Sequence, residues 1–250
     1  MNNKVSRSNG SILAYCFFFA IFAIAFTLCA AFIAYFSFLL QGENQAIVGA
    51  FGQTEPRLTV IIDAGHGGED GGAVSDSGIC EKDLNLDIAK KLQDLLMLSD
   101  VNIVMTRQSD ILLYSDGQQG RKKFYDITNR INIASSYDSA ILISIHQNKF
   151  PIRKYSGFQV YYSKNNANSK KLATIVKDNV KNHLQPQNKR EIKAADENIR
   201  LLDSIQVPAI LAECGFLSNE NEANLLNTAE YRNKIAYLIY ISIMEYVKET

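Results

Sequence analysis

Val60-Ile61-Ile62-Asp63-Ala64-Gly65-His66-Gly67-Gly68-Glu69-Asp70-Gly71-Gly72-Ala73 is an apolar run that stops in a glycine-rich loop carrying one histidine. Val60 to Ile62 has the character of a buried strand, and Asp63 onward that of the loop at its end. The glycines let backbone approach a ligand closely and take positive φ. A histidine placed there can ligate a metal or act as a general base, and the chain has only two others, His146 and His183.

Outward from this stretch, strand and helix patterns alternate. Leu58–Asp63 reads as a strand, and Asp83–Leu98 as an amphipathic helix with Leu84, Ile88, Leu92 and Leu95 or Leu96 on one face. Val101–Thr106, Ala140–His146, Gly157–Tyr162 and Val207–Glu213 read as further strands. Ile127–Ser136, Ser169–His183 and Glu230–Lys248 read as helices, and Asp110–Phe124, with the basic cluster Arg121-Lys122-Lys123, as a loop at a site rim or simply in solvent. This alternation predicts an α/β fold, a twisted, mainly parallel sheet of about six strands flanked by helices.

Ahead of this domain, Ile12 to Leu40 is a run of 29 residues with no charge, eight of them phenylalanine. A hydrocarbon core needs roughly 20 apolar residues, and a signal-peptide core only about 7–15, so the run predicts an uncleaved transmembrane helix. Lys4 and Arg7 precede it and the first charge after it is Glu43, which places the N-terminus in the cytoplasm. The expected organisation is a cytoplasmic segment 1–11, an anchor 12–40, a tether 41–57 and an extracytoplasmic catalytic domain 58–250. Lys+Arg and Asp+Glu balance at 26 each, so no overall field points to nucleic acid. The absence of tryptophan argues against an aromatic sugar-binding platform. Outside the apolar run only Cys80 and Cys214 remain, enough for at most one bridge.

In open α/β sheets ligands bind outside the carboxyl ends of the strands. Three of the strands end in chemistry-bearing groups there: His66 just beyond the first, His146, and Glu213. Two histidines and a carboxylate make a His₂Glu zinc site with one position left for water. Spacing alone leaves that carboxylate open between Glu69, in the metal-binding pattern His66-x-x-Glu69, and Glu81, which opens the following helix. Glu213 ends an apolar strand, so desolvation should raise its pKa and suit it to general-base work. The alternative for Glu213 is an ion pair with Arg107 or Arg130. His183, at a polar helix end, reads as a surface residue. Cys214 cannot share a face with Glu213, because neighbouring strand residues point oppositely; it reads as a small buried side chain.

The chain resembles the zinc-dependent N-acetylmuramoyl-L-alanine amidases. The resemblance rests on Asp63-Ala-Gly-His66-Gly-Gly-Glu-Asp70-Gly-Gly-Ala73, Glu81-Lys-Asp-Leu-Asn85, Thr106-Arg107, Ser144-Ile-His146-Gln-Asn148 and Glu213-Cys-Gly-Phe-Leu-Ser-Asn219, in that order. It implies that His66, Glu81 and His146 bind Zn²⁺, that Glu213 is the catalytic glutamate, and that the substrate is peptidoglycan. Phe150-Pro151, Asn188 to Lys193 and Leu201-Leu202 resemble the sporulation- and germination-specific spore-cortex group, implying removal of stem peptides before muramic-lactam formation. Asn148, two residues past His146, is a candidate for positioning substrate, and Arg107 and Arg130 for structural ion pairs. No wall-binding repeat is recognisable, so targeting falls to the anchor or to a protein partner. The competing expectations are a stem-peptide carboxypeptidase and a non-enzymatic, membrane-anchored wall-binding protein.

Overall fold

The computed structural model describes residues 57–250 and, in the N-terminal segment, 19, 21 and 26–36. The chain divides into two units, Met1–Glu55 and Pro56–Thr250. In the first, residues 26–36 are helical, with exposed side chains. Among the described residues no helix is long and apolar enough to cross a membrane. Most of the expected anchor 12–40 and nearly all of the tether lie outside the described residues.

The second unit is built on six strands: β1 (Thr59–Ala64), β2 (Asn102–Met105), β3 (Ala140–Asn148), β4 (Gln159–Tyr162), β5 (Lys193–Ala194) and β6 (Ala209–Phe216). They lie in the order β2-β1-β3-β6-β4-β5. The first four of that order are mutually parallel, whereas β4 runs antiparallel to β6 and carries β5 with it. The sheet is therefore mixed. β5 is two residues long and exposed, too short to leave a sequence pattern.

Six helices flank the sheet: α1 (Glu81–Leu96), α2 (Lys122–Ala134), α3 (Asn168–His183), α4 (Arg200–Ser204), α5 (Glu220–Leu226) and α6 (Ala229–Glu249). α1 begins two residues earlier than its apolar periodicity predicts. The Glu81 amide donates to the Ala73 carbonyl at 2.8 Å, and Glu81 and Asp83 place negative charge in the first turn. α2 begins five residues before its expected start at Ile127. The basic cluster is thus a helix start, not a solvated loop, with Lys122 and Lys123 paired to Glu69 and Asp70.

Strand alternation sorts the core. Val60, Ile62, Ile143, Ile145, Ile210, Ala212 and Cys214 face α1, α3 and α6, where Leu84, Ile88, Leu92 and Leu96 form a fully buried stripe on α1. Burying each such side chain stabilises the fold by about 1.5–3 kcal/mol. Ile61, Leu142, Ala209 and Leu211 face the smaller α2 and α4, in a second, thinner core. His146 and Glu213 alternate with the residues of the large core and so point to the thinner side. That is where the sheet has room for a ligand.

Candidate metal centre

The loop after β1 is held by close packing and by hydrogen bonds to its carbonyls. Gly65 is required by packing: a Cβ there would sit 2.2 Å from Cε1 of His146. His66 itself has φ 62°, the left-handed region that side chains rarely adopt. Two arginines hold this strained stretch by its carbonyls. Arg130 donates to Ala64 O at 2.7 Å and His66 O at 2.8 Å. Arg107 donates to Ala64 O at 2.8 Å, Gly65 O at 3.0 Å and Lys82 O at 2.8 Å. Arg130 is also paired with Asp63 at 2.6 Å and Asp126 at 2.8 Å, all of them buried. The expected ion pairing therefore holds for Arg130, whereas Arg107 clamps backbone.

Asp63 receives Thr106 Oγ1 at 2.7 Å and Ser144 Oγ at 2.6 Å as well as Arg130. Burial pushes its pKa up, but Arg130 and the two hydroxyls win and hold it at about 2. A permanently ionised Asp63 keeps Arg130 in place under the loop.

His66, Glu81 and His146 converge, their nearest ligand atoms all lying within 4.8 Å of one another. Glu81 Oε1 is 3.3 Å from His66 Nε2 and 2.9 Å from His146 Nδ1. The remaining oxygen, Oε2, accepts the Ala73 amide at 2.7 Å. Burial raises the pKa of Glu81, but the two histidines outweigh it and hold the carboxyl well below the usual range. His66 Nδ1 is 2.9 Å from Asp70 Oδ2. Burial lowers the His66 pKa, and the contacts with Glu81 and Asp70 overcome this and raise it to about 9 in the metal-free protein. Two imidazole nitrogens and a carboxylate oxygen, one imidazole backed by a second carboxylate, are a donor set that fits zinc.

Glu213 lies directly across from His146 in the β3–β6 register. Its Oε2 is enclosed and has no hydrogen-bond partner. Neither Arg107 nor Arg130 pairs with it. Burial, opposed by His146 and reinforced by Glu81, pushes its pKa up to about 7, as expected of a carboxylate ending a buried strand. Cys214 points into the large core, its thiol pushed up by burial, and both Cys80 and Cys214 are free.

Of the other candidates, Asn148 follows a register shift at the end of β3 and holds Leu217 N through its backbone carbonyl at 2.7 Å. None of its hydrogen bonds reaches the histidines or Glu213. Glu69 is exposed and paired with Lys122. Sequence reasoning missed Asp70, although it stands in the opening stretch four residues after His66. It also missed Asn85 and Gln147: Asn85 donates to Gly65 O at 3.1 Å, and the Gln147 amide to Glu81 Oε1 at 3.0 Å. An Asn one turn after Glu81 on α1 was a readable signal; Gln147 points away from its neighbour His146 and gave none.

An α/β sheet with a His₂Glu cluster and an unpartnered carboxylate at its carboxyl edge has the donor set and the proton acceptor that metal-assisted hydrolysis uses. Residues 60–245 match the family model described as N-acetylmuramoyl-L-alanine amidase, and the chain belongs to that family. It is 35% identical over 192 residues to the germination-specific N-acetylmuramoyl-L-alanine amidase of Bacillus subtilis (strain 168), covering 76% of this chain and 80% of that one. Among solved structures it is similar to the CwlD amidase of Clostridioides difficile in complex with the GerS lipoprotein, at 38% identity and TM-score 0.74, covering 77% of this chain and 100% of that one. It also resembles an N-acetylmuramoyl-L-alanine amidase of Clostridium difficile 630, at 29% identity and TM-score 0.67, covering 78% and 98%.

Proposed function

We propose that this amidase hydrolyses the amide between the lactyl group of N-acetylmuramic acid and the L-alanine of the stem peptide, using zinc held by His66, Glu81 and His146. The observation that carries this reading is Glu213: an enclosed oxygen with no partner, on the strand position opposite one of the three ligand residues. Bound zinc supplies Lewis acidity, which acidifies water and polarises an amide carbonyl. Glu213 accepts the proton of the attacking water and delivers it to the departing amine. Asp70 holds the ring of His66, and the Arg130–Asp63 pair holds the loop beneath it. Asn148, at the end of β3, is assigned to substrate positioning.

The likeness to the germination-specific relative supports a role in stripping stem peptides from spore cortex, which leaves muramic acid open to lactam closure. The charge-free run from Ile12 to Leu40 supports a membrane anchor with the catalytic domain outside the cytoplasm. A protein partner is part of the proposal, because the similar Clostridioides difficile amidase was solved in complex with a lipoprotein.

Mass spectrometry of peptidoglycan incubated with the zinc-loaded full chain tests the reaction. The expected products are intact stem peptides beginning at L-alanine and glycan lacking them. Shortened peptides still attached to glycan would identify a carboxypeptidase instead, and an unchanged digest a binding protein.

A further inference from the structure

Arg190 stands in the run from Asn188 to Lys193 and takes no part in the chemistry above. It is half-buried and placed with care: Nε donates to Ser156 O at 2.7 Å, and Nη1 reaches Gln159 Oε1 at 3.5 Å. Its guanidinium lies 4.4 Å over the ring of buried Phe216 and 5.8 Å from that of Tyr155. Yet among the described residues Arg190 has no carboxylate within ion-pair distance, and its Nη2 makes no hydrogen bond. Of the two fully buried arginines at this edge, Arg130 is paired with two carboxylates and Arg107 spends its donors on the carbonyls of Ala64, Gly65, Lys82 and Ser109. A guanidinium immobilised on an aromatic face with a free edge is ready to receive a planar anion.

Its position points to which anion. Gln159 lies directly opposite Glu213 in the β4–β6 register, so the two side chains share the thinner face of the sheet. Tyr161, two residues along β4 on that face, feels both neighbours: burial and then Glu213 raise its pKa, while Arg190 lowers it. Arg190 also lines a groove of about 730 Å³ together with Lys154 and Lys189. The one carboxylate lining that groove, Glu222, is turned away onto the amides of Gly157 and Phe216, both at 2.8 Å. The groove therefore offers cations to a ligand and no free carboxylate to repel an acidic one.

We propose that Arg190 binds a carboxylate of the stem peptide, the free α-carboxylate of the γ-linked D-glutamyl residue that follows L-alanine. The inference rests on the amidase reading, because it takes the scissile amide to lie beside Glu213. The adjacent groove then accommodates the rest of the peptide. Arg190 is a specificity residue: it distinguishes D-glutamate from its uncharged α-amide.

The test compares two muramyl stem-peptide substrates, alike except that one carries D-glutamate and the other D-isoglutamine, with the zinc-loaded full chain. One charge-assisted hydrogen-bonded pair predicts kcat/KM about tenfold to a hundredfold higher for the acid, chiefly through KM. Arg190→Gln should abolish that preference and leave cleavage of the amide substrate within about threefold of wild type. Calorimetric binding of the two released peptides, acid and α-amide, gives the same comparison without turnover. Equal kcat/KM for the two substrates, or an Arg190→Gln variant that loses both alike, would show that the arginine only ties Ser156 to β4 and overturn the proposal. Cleavage of neither substrate, with the acid peptide still bound better through Arg190, would instead bring down the amidase reading and leave the carboxylate site standing.

Discussion

Asp63, fully buried, and Glu213, half-buried with one oxygen enclosed, are carboxylates at the carboxyl edge of one sheet, and they sit at opposite ends of the acid scale. Burial pushes both upward. Asp63 meets Arg130 and two hydroxyls and falls to about 2, whereas Glu213 meets none of these and rises to about 7. Their partners set the two acidities apart. A carboxylate saturated with donors stays ionised, as suits an anchor; one denied them holds its proton toward neutrality, as the proposed proton transfer needs.

Replacing each carboxylate by its amide separates the two roles most sharply. Glu213→Gln keeps the shape and removes the proton acceptor, so turnover should fall by about 10²–10⁴-fold. Its stability should not fall. Glu213 has a folded pKa raised from 4.5 to about 7, so in the metal-free chain its ionisation weakens the fold as pH climbs across that interval. The glutamine variant should lack that slope and equal or exceed wild type in urea unfolding at pH 8. Asp63 carries the opposite sign. Its pKa is depressed from 3.8, so its contribution is complete above about pH 4 and is lost as pH falls toward 2. If Glu213→Gln unfolded at markedly lower urea at pH 8, Glu213 would be an anchor like Asp63 and the comparison would fail.

The cation beneath the loop comes next in size. Arg130→Met leaves Asp63 and Asp126 buried without their shared partner and releases the carbonyls of Ala64 and His66. Breaking a buried pair of this kind costs about 3–5 kcal/mol, read as a lower urea midpoint for the metal-free full chain at pH 7. A loss under about 1 kcal/mol would mean the loop holds its strained His66 without help.

The sequence made the large features plain and hid the connections between them. Apolar runs at β1, β3 and β6 and the stripe on α1 announce themselves because burial demands them, and those strands carry His66, His146 and Glu213 to one edge. Direction is harder: nothing in Gln159–Tyr162 reveals that β4 runs antiparallel, since a half-buried strand alternates in the same way whichever way it points. A helix start that precedes the apolar pattern was also invisible, as at Lys122, where α2 begins five residues before Ile127. Composition at the site could not separate Glu69 from Glu81. Geometry does, because Glu81 Oε1 lies between the two histidines while Glu69 faces solvent.

The same loop holds the finest contrast, between the neighbours Glu69 and Asp70. Glu69 has the spacing from His66 that suggests a ligand, yet it points outward to Lys122. Asp70 has no such spacing and takes His66 Nδ1 at 2.9 Å, leaving Nε2 turned toward Glu81. A carboxylate behind a metal-bound imidazole fixes the ring and strengthens it as a donor, and its loss typically weakens metal affinity by about 10–100-fold. Asp70→Asn should therefore lower the zinc affinity of the full chain by that factor in a chelator competition. Glu69→Gln, one residue away with the same change in charge, should leave it within about threefold, since an exposed ion pair contributes little. Equal losses in the two variants would mean that only the summed negative charge of the loop matters. A loss confined to Asp70→Asn would show that the loop's strained backbone serves to aim one carboxylate at the back of His66.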